Sequence, residues 1–316
     1  MLHSFSGGKD GANPYLSYVI LDSAGNLYGT AYYGGRAHAP DGFGIVFKLS
    51  PVGKSWKETV LYSFAGGTDG VFPVNGLIMD AQGNLYGTTA GNSSIKGTVF
   101  ELSPSGNGWK QQTIYTVATD GAGLTMDPAG NIFGVSRWTA FELSPNGDGG
   151  WNPTVIYTFK TKQKQSPNPE GTLVFDGAGN LFGTTFGVTL GNYTGGYVYE
   201  LSPTVEGPWA FKDIFTFVSQ YGFSPQAGVV LDAAGNIYGT TAFGGESNNG
   251  VVFGLVGPDK IGRYKEKLKL DFKGPDGAEP LGSLILDSAG NLYGTASTGG
   301  GTGDGTGGGV VFEVTP

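Results

Sequence analysis

The sequence predicts an all-β fold, a six-bladed β-propeller with four antiparallel strands in each blade. The first observation is a motif of an apolar run, Asp, two residues, Gly-Asn, an apolar residue, an aromatic residue and Gly. It occurs six times, beginning at Asp22, Asp80, Asp127, Asp176, Asp232 and Asp287. The repeat returns every 47 to 58 residues, and each period holds four strand-like runs without a sustained helical periodicity. Thirdly, the two ends of the chain carry complementary parts of one repeat.

The chain ends predict how the ring closes. Residues 2–8 match residues 61–67, a fourth strand with its exit loop, whereas residues 309–316 match a third strand and its stop. We expect the N-terminal strand to complete the last blade, because this pairing removes two exposed sheet edges. Residues 1–316 then form a single propeller domain, with blade cores near 16–64, 74–117, 121–159, 170–217, 226–272, and 281–316 plus 1–5.

The second repeat shows what each blade is made of. β-Branched and aromatic residues predict its four strands, at residues 76–80, 84–89, 97–102 and 109–117. Pro104 is expected to end the third strand, because proline cannot donate to a ladder. Between the first two strands, Asp-x-x-Gly-Asn predicts a tight turn whose carboxylate accepts turn amides. The six acidic residues are therefore interpreted as turn residues, and no metal site is predicted at them.

The repeat signatures resemble those of a known family. Gly-Asn-Leu-Tyr-Gly-Thr at residues 83–88 and Val-Phe-x-Leu-Ser-Pro at residues 99–104 are similar to the repeats of the bacterial GloVer tandem-repeat (choice-of-anchor) β-propeller proteins. The resemblance covers essentially the whole chain. It implies a repeat fold and an exported, often surface-anchored protein, and it transfers no activity. We therefore expect an extracellular or cell-surface location, with any leader outside this sequence.

Composition narrows the possible partners. The net charge of −8 and pI near 4.7 oppose binding to nucleic acid or to an anionic membrane, since both require basic surface. The absence of cysteine excludes a disulfide framework and thiolate chemistry. The sequence contains no hydrophobic run long enough for a membrane span. A monomer that does not insert into membranes is expected.

Variation in loop length indicates the ligand face. The second-to-third strand connections differ most between repeats, so we expect any ligand to bind on the face where they emerge. The loop of blade one contains the ligand-binding candidates Tyr32, Tyr33 and Arg36, and it also contains His38 and Asp41. A histidine with a nearby carboxylate could act as a base and its orienting partner.

Other candidates come from the remaining blades. The short loop of blade three contains Arg137 and Trp138, and the loop of blade four contains Tyr193. Aligned first strands place Glu170 and Gln226 side by side in an otherwise apolar or glycine ring at the channel entry. The ligand site is predicted to lie above this polar pair.

Three functions stay open at this stage. The preferred one is an exported propeller that binds a carbohydrate, with an acidic polysaccharide favoured by the two arginines, or another extracellular polymer. The alternatives are a polysaccharide lyase or glycoside hydrolase, with Glu170, His38 and Asp41 as catalytic candidates, and a protein-interaction scaffold. No catalytic motif is evident in the sequence, so whether the protein is an enzyme stays open. No cofactor is predicted, although a divalent ion in or near the central channel stays open.

Overall fold

The computed structural model describes residues 1–14, 17–36, 42–117, 123–160, 168–187, 195–218, 222–259, 262–301 and 307–315. Their strands form six antiparallel sheets, which confirms the predicted six-bladed β-propeller. Within each sheet, strands adjacent in sequence are neighbours in space. The chain divides into two compact units, Met1–Thr154 and Val155–Pro316. A single domain over residues 1–316 stays a prediction.

The first unit contains blades one and two and most of blade three. Blade one consists of β1 (Ile20–Leu21), β2 (Leu27–Ala31), β3 (Ile45–Val52) and β4 (Ser55–Ser63). Blade two consists of β5 (Pro73–Met79), β6 (Leu85–Thr89), β7 (Gly97–Ser105) and β8 (Gly108–Val117). Blade three consists of β9 (Thr125–Met126), β10 (Ile132–Ser136), β11 (Thr139–Pro145) and β12 (Trp151–Thr158), whose last residues belong to the second unit.

The second unit contains the other three blades. Blade four consists of β13 (Asn168–Phe175), β14 (Leu181–Phe186), β15 (Gly196–Ser202) and β16 (Ala210–Thr216). Blade five consists of β17 (Val230–Leu231), β18 (Ile237–Thr241), β19 (Val251–Val256) and β20 (Lys265–Asp271). The described residues of blade six form three strands, β21 (Ile285–Leu286), β22 (Leu292–Ala296) and β23 (Val310–Val314). No helix among the described residues has the length and apolar character that a membrane span requires.

The predicted end of the third strand in blade two was wrong. Pro104 lies inside β7, where it pairs with Trp109 of β8. The pairing between β6 and β7 already ends at Leu102. Beyond that point β7 has a neighbour on one side only, so a residue without an N–H is tolerated there.

Each blade has a glycine on its second strand directly opposite an aromatic residue on its third strand. The pairs are Gly29–Phe47, Gly87–Phe100, Gly134–Phe141, Gly183–Tyr199, Gly239–Phe253 and Gly294–Phe312. A methyl group on any of these glycines would clash with the tip of the facing side chain. The aromatic ring therefore covers the glycine, and the Gly of the repeat motif is required by this close approach.

The same aromatic residues are contacted from the other side by a second ring. A phenylalanine at the end of a fourth strand packs edge-on against the third-strand ring, with ring centroids 4.9 to 5.1 Å apart, in the pairs Phe64–Phe100, Phe159–Tyr199, Phe217–Phe253 and Phe272–Phe312. Phe5 makes the equivalent contact with Phe47 at 5.2 Å. The N-terminal segment thus packs on blade one as the end of a fourth strand does. Residues 1–6 form no strand, and their pairing with the last blade stays a prediction.

Two glycines of blade two should respond differently to substitution by alanine. Gly83 has a φ of +82° and open space around its Cα, so Gly83→Ala should lower the free energy of unfolding by about 1–2 kcal/mol through backbone strain. Gly87→Ala should cost about 1–3 kcal/mol through the clash with Phe100. In urea unfolding, Phe100→Leu should partly reduce the loss of stability caused by Gly87→Ala and should leave the loss caused by Gly83→Ala unaltered. If the destabilisation by Phe100→Leu simply adds to that of Gly87→Ala, as it should add to that of Gly83→Ala, the interpretation that the Phe100 ring covers Gly87 is wrong.

Tyr199 carries the only hydroxyl among the six covering rings. Its oxygen is buried and has no hydrogen-bond partner among the described residues, and burial raises the pKa of Tyr199 well above its usual value. Tyr199→Phe should therefore raise the free energy of unfolding by about 1–2 kcal/mol. The matched control is Tyr86→Phe, which removes a hydroxyl that donates to Asp80 at 3.0 Å and should be destabilising. A loss of stability in Tyr199→Phe, measured by thermal unfolding, would refute this account.

Candidate functional site

The six repeated aspartates are occupied by their own turns. In each turn one carboxylate oxygen accepts the backbone N–H groups two and four residues later, at 2.8 to 2.9 Å. The other oxygen accepts the Asn side-chain amide four residues later, at 2.7 to 2.8 Å. The turn interpretation is confirmed, and a functional site must be sought outside the repeated motif.

An aromatic cluster lies on the loops of blades one and two. We define it as Tyr32, Tyr33, Phe43 and Phe72. Tyr32 stacks on Phe72, with ring centroids 4.8 Å apart and an interplanar angle of 6°. Tyr33 meets Tyr32 edge-on at 4.7 Å, and Phe43 meets Phe72 edge-on at 6.0 Å. The structure thus brings two predicted binding residues together with two that the sequence interpretation missed.

The backbone around Phe72 fixes the cluster. Phe72 has a φ of +61°, in the left-handed region that bulky residues rarely adopt. Its N–H donates to the carbonyl of Phe43 at 2.8 Å, and its own carbonyl accepts the N–H of Ala90 at 2.9 Å. These two bonds hold the strained conformation and set the Phe72 ring against Tyr32.

The position of Phe72 recurs in other repeats with different side chains. Asn13, Ser224 and Glu279 also precede a proline and have φ values of +53° to +61°. The signal that could have revealed Phe72 is therefore its presence, ahead of Pro73, where other repeats carry a polar residue. The predicted site drew on the loops after the second strands and on aligned positions of the first strands that follow this residue, so Phe72 was not among its candidates.

The cluster is partly open to solvent. Tyr33 is 38% exposed, whereas Tyr32 and Phe72 are half-buried. The Arg36 side chain is exposed, and its backbone N–H donates to the Ser63 hydroxyl at 2.7 Å. The accessible aromatic rings can stack on the apolar face of a ligand ring, and the nearby guanidinium can pair with an anionic group of the ligand.

Arg137 and Trp138 form a second group in the same unit. They occupy the two-residue turn between β10 and β11, and Arg137 is exposed. The guanidinium of Arg137 lies 5.4 Å from the centre of the Trp138 ring, a distance typical of a cation–π contact. The pair therefore combines a cation with an aromatic face in one short turn.

Glu170 and Gln226 lie in the second unit, on the entry segments of blades four and five. Both are half-buried, and the Asn168 side-chain amide donates to the Glu170 carboxylate at 2.5 Å. Just beyond them the two backbones converge, since a methyl group on Gly171 would clash with the backbone nitrogen of Gly228. The inner strands approach each other closely here, whereas a catalytic role for Glu170 stays a prediction.

Three predicted site residues, His38, Asp41 and Tyr193, lie outside the described residues. The proposed arrangement of the His38 and Asp41 side chains, and the contribution of Tyr193 to the loop of blade four, therefore stay predictions.

The fold and the loop residues define a tandem-repeat six-bladed β-propeller whose candidate ligand residues stand outside the repeat motif. The chain belongs to the Gloeobacter/Verrucomicrobia repeat family, whose model matches residues 1–140 and 136–316. This match confirms the resemblance indicated by the repeat signatures. Comparison with curated protein sequences gives no match.

Several solved structures share the fold. A Thermus thermophilus protein, provisionally described as an oxidoreductase (glucose dehydrogenase), is 14% identical with a TM-score of 0.59, over 96% of this chain and 97% of that one. A gluconolactonase from Xanthomonas campestris is 14% identical with a TM-score of 0.51, over 98% and 88% of the two chains. An ancestral GH74 enzyme is 13% identical with a TM-score of 0.60, over 95% and 41%. At these identities the likeness shows the fold alone.

The turn carboxylates should make stability depend on pH in the acidic range. The hydrogen bond from the Asn26 side chain, with turn amides and Tyr28, lowers the pKa of Asp22 to about 2. The unfolded value is about 3.9, so the stabilisation is complete above that pH and is lost as the pH falls towards 2. The difference in urea midpoint between the unaltered protein and Asp22→Asn should therefore shrink between pH 5 and about pH 2. The exposed loop variant Asp148→Asn serves as control, and a difference independent of pH would exclude this linkage.

Proposed function

We propose that this protein is an exported or cell-surface propeller that binds a carbohydrate at the aromatic cluster. The observation that carries the proposal is the partly exposed Tyr33 ring, set edge-on against the stacked Tyr32 and Phe72 rings. Rings held in this way present apolar surface at a small cost in conformational entropy, and the tyrosine hydroxyls can hydrogen-bond to sugar hydroxyls.

The charged residues favour an acidic polysaccharide. Arg36 follows the two tyrosines in the same loop, and Arg137 offers a second exposed guanidinium beside Trp138. A guanidinium can hold a carboxylate through two parallel hydrogen bonds. These cations belong to a chain with a net charge of −8, so any attraction of an anionic polymer must be local to such groups.

The fold is compatible with ligands related to sugars. Two of the solved structures that share the fold are the Thermus thermophilus protein, provisionally described as a glucose dehydrogenase, and the Xanthomonas campestris gluconolactonase. This supports the proposal only at the level of the fold, because one fold hosts many functions. The location of the site rests on the aromatic cluster.

A polysaccharide-active enzyme is the second candidate. The observation that favours it is the half-buried Glu170 carboxylate, held by Asn168 next to the point where the inner backbones converge. A positioned carboxylate of this kind can serve as a general base. If the protein is an enzyme, Glu170→Gln should abolish turnover of the bound polymer and leave its affinity unchanged.

Binding should be tested with a glycan array followed by calorimetry on the best acidic glycan. Tyr33→Ala should raise the Kd about tenfold, because it removes ring contacts of about 1–1.5 kcal/mol, whereas Tyr33→Phe should bind nearly as well. Arg36→Ala should weaken the binding of the acidic glycan more than the binding of its neutral counterpart.

The control for the charge change is Lys54→Ala, at an exposed position in the turn between β3 and β4. An unchanged Kd in the double variant Tyr33→Ala and Arg36→Ala would remove the aromatic cluster as the binding site. Protease treatment of intact producing cells tests the location, since a surface protein should be degraded and an internal one protected.

A further inference from the structure

A group of three titratable side chains lies where the N-terminal segment meets β4, outside the site described above. The Nε2 atom of His3 is 3.8 Å from Oδ2 of Asp10 and 4.0 Å from Oε1 of Glu58. One potential ligand atom from each residue lies within 4.8 Å of the other two. All three belong to the first unit, and their side chains are mostly shielded from solvent.

Two of these atoms are buried without a hydrogen-bond partner. Nε2 of His3 and Oε1 of Glu58 each expose less than 1 Å² and have no partner among the described residues. Buried polar atoms are nearly always satisfied by protein, water or an ion. Asp10 and Glu58 place two carboxylates beside a single imidazole. Two carboxylates in one shielded place therefore lack a full counter-charge.

The second repeat shows the same place without the histidine and the glutamate. His3 and Asp10 correspond to Tyr62 and Asp69 in the alignment of residues 2–11 with residues 61–70, and Glu58 corresponds to Gln111. There the Tyr62 hydroxyl donates to Asp69 at 2.7 Å. The Gln111 side-chain amide donates to the Asp69 carbonyl at 3.4 Å. In the second repeat the single carboxylate and its neighbours are satisfied by protein hydrogen bonds, so the repeat architecture itself does not require an imidazole and a second carboxylate.

The side chains of His3, Asp10 and Glu58 are held in place by neighbouring residues. Asp10 accepts the backbone N–H and the hydroxyl of Ser6, which fixes its carboxylate. The His3 ring packs edge-on against Phe5, which in turn packs against Phe47 of β3. Glu58 is held in β4, opposite Leu49 of β3. Oriented ligands with such supporting contacts are characteristic of metal sites.

We propose that His3, Asp10 and Glu58 bind a divalent transition-metal ion, with Zn²⁺ the best match. An imidazole nitrogen and two carboxylate oxygens are ligands that Zn²⁺ accepts at about 2.0–2.2 Å, with water completing a tetrahedron. Ligand atoms around such an ion are about 3.4 Å apart, so small side-chain movements close the present site. The ion neutralises both carboxylates and ties the N-terminal segment to the outer strand of blade one.

The proposal is tested by calorimetric titration of ZnCl₂ into the tag-free, full-length, metal-stripped protein, with CaCl₂ as the comparison ion. Saturable binding of one Zn²⁺ is expected, with little Ca²⁺ binding, because Ca²⁺ prefers six to eight oxygen ligands. The variant carrying His3→Tyr and Glu58→Gln copies the second repeat and should bind Zn²⁺ at least about 100-fold more weakly. No saturable binding to the unaltered protein, or equal affinity in the variant, would overturn the site.

Two further variants keep the result interpretable. Glu58→Gln alone preserves side-chain size, so weaker Zn²⁺ binding at an unchanged metal-free melting temperature separates loss of a ligand from loss of fold. Tyr62→His combined with Gln111→Glu builds the same three residue types around Asp69 in the otherwise unaltered chain. The stoichiometry should then rise from one to two Zn²⁺ ions. A stoichiometry that stays at one would show that these three positions are not a sufficient ligand set.

Discussion

The structure depends on the aromatic ring at the centre of each third strand. On one side this ring covers the glycine of the second strand, at a separation that excludes a β-carbon. In five of the six blades, its other contacts include the edge of a phenylalanine from the preceding fourth strand or from the N-terminal segment. One side chain thus sets the register within a blade and also the packing of the preceding fourth strand, or of the N-terminal segment, against that blade. This double role explains why the Gly of the motif and the Phe of the next strand recur together, since neither is useful without the other.

The candidate site residues of this protein lie where its side chains depart from the repeat. The aspartates, which look at first like a row of metal ligands, use their oxygens to accept turn amides and Asn side chains. By contrast, Phe72 replaces a polar residue at a left-handed position, and Glu58 replaces a glutamine. Because the repeated residues already satisfy each other, such replacements leave rings partly accessible or polar atoms unsatisfied. A ligand can supply what the repeat does not.

The left-handed residue ahead of proline links this chemistry to the fold. At Phe72, Ser224 and Glu279, the backbone N–H donates to the second-to-third strand loop of the preceding blade. The carbonyl of the same residue accepts the N–H that follows the second strand of its own blade. This pair of bonds fixes the side chain beside the variable loops whatever its type. A side chain for binding can therefore be exchanged at this position without altering the blades.

The sequence by itself determined the number of blades, the type and order of the strands and the chemistry of the Asp turns. These features arise from contacts within about ten residues or from direct repetition, so local pattern is sufficient to predict them. Only the tertiary structure decided that Pro104 lies within a paired strand, that Phe72 stacks on Tyr32, and that His3 meets Glu58. Each of these depends on which neighbour a strand lacks or on the packing of segments 40 to 55 residues apart. No local pattern encodes such distances, because they are set by the packing of one blade against the next.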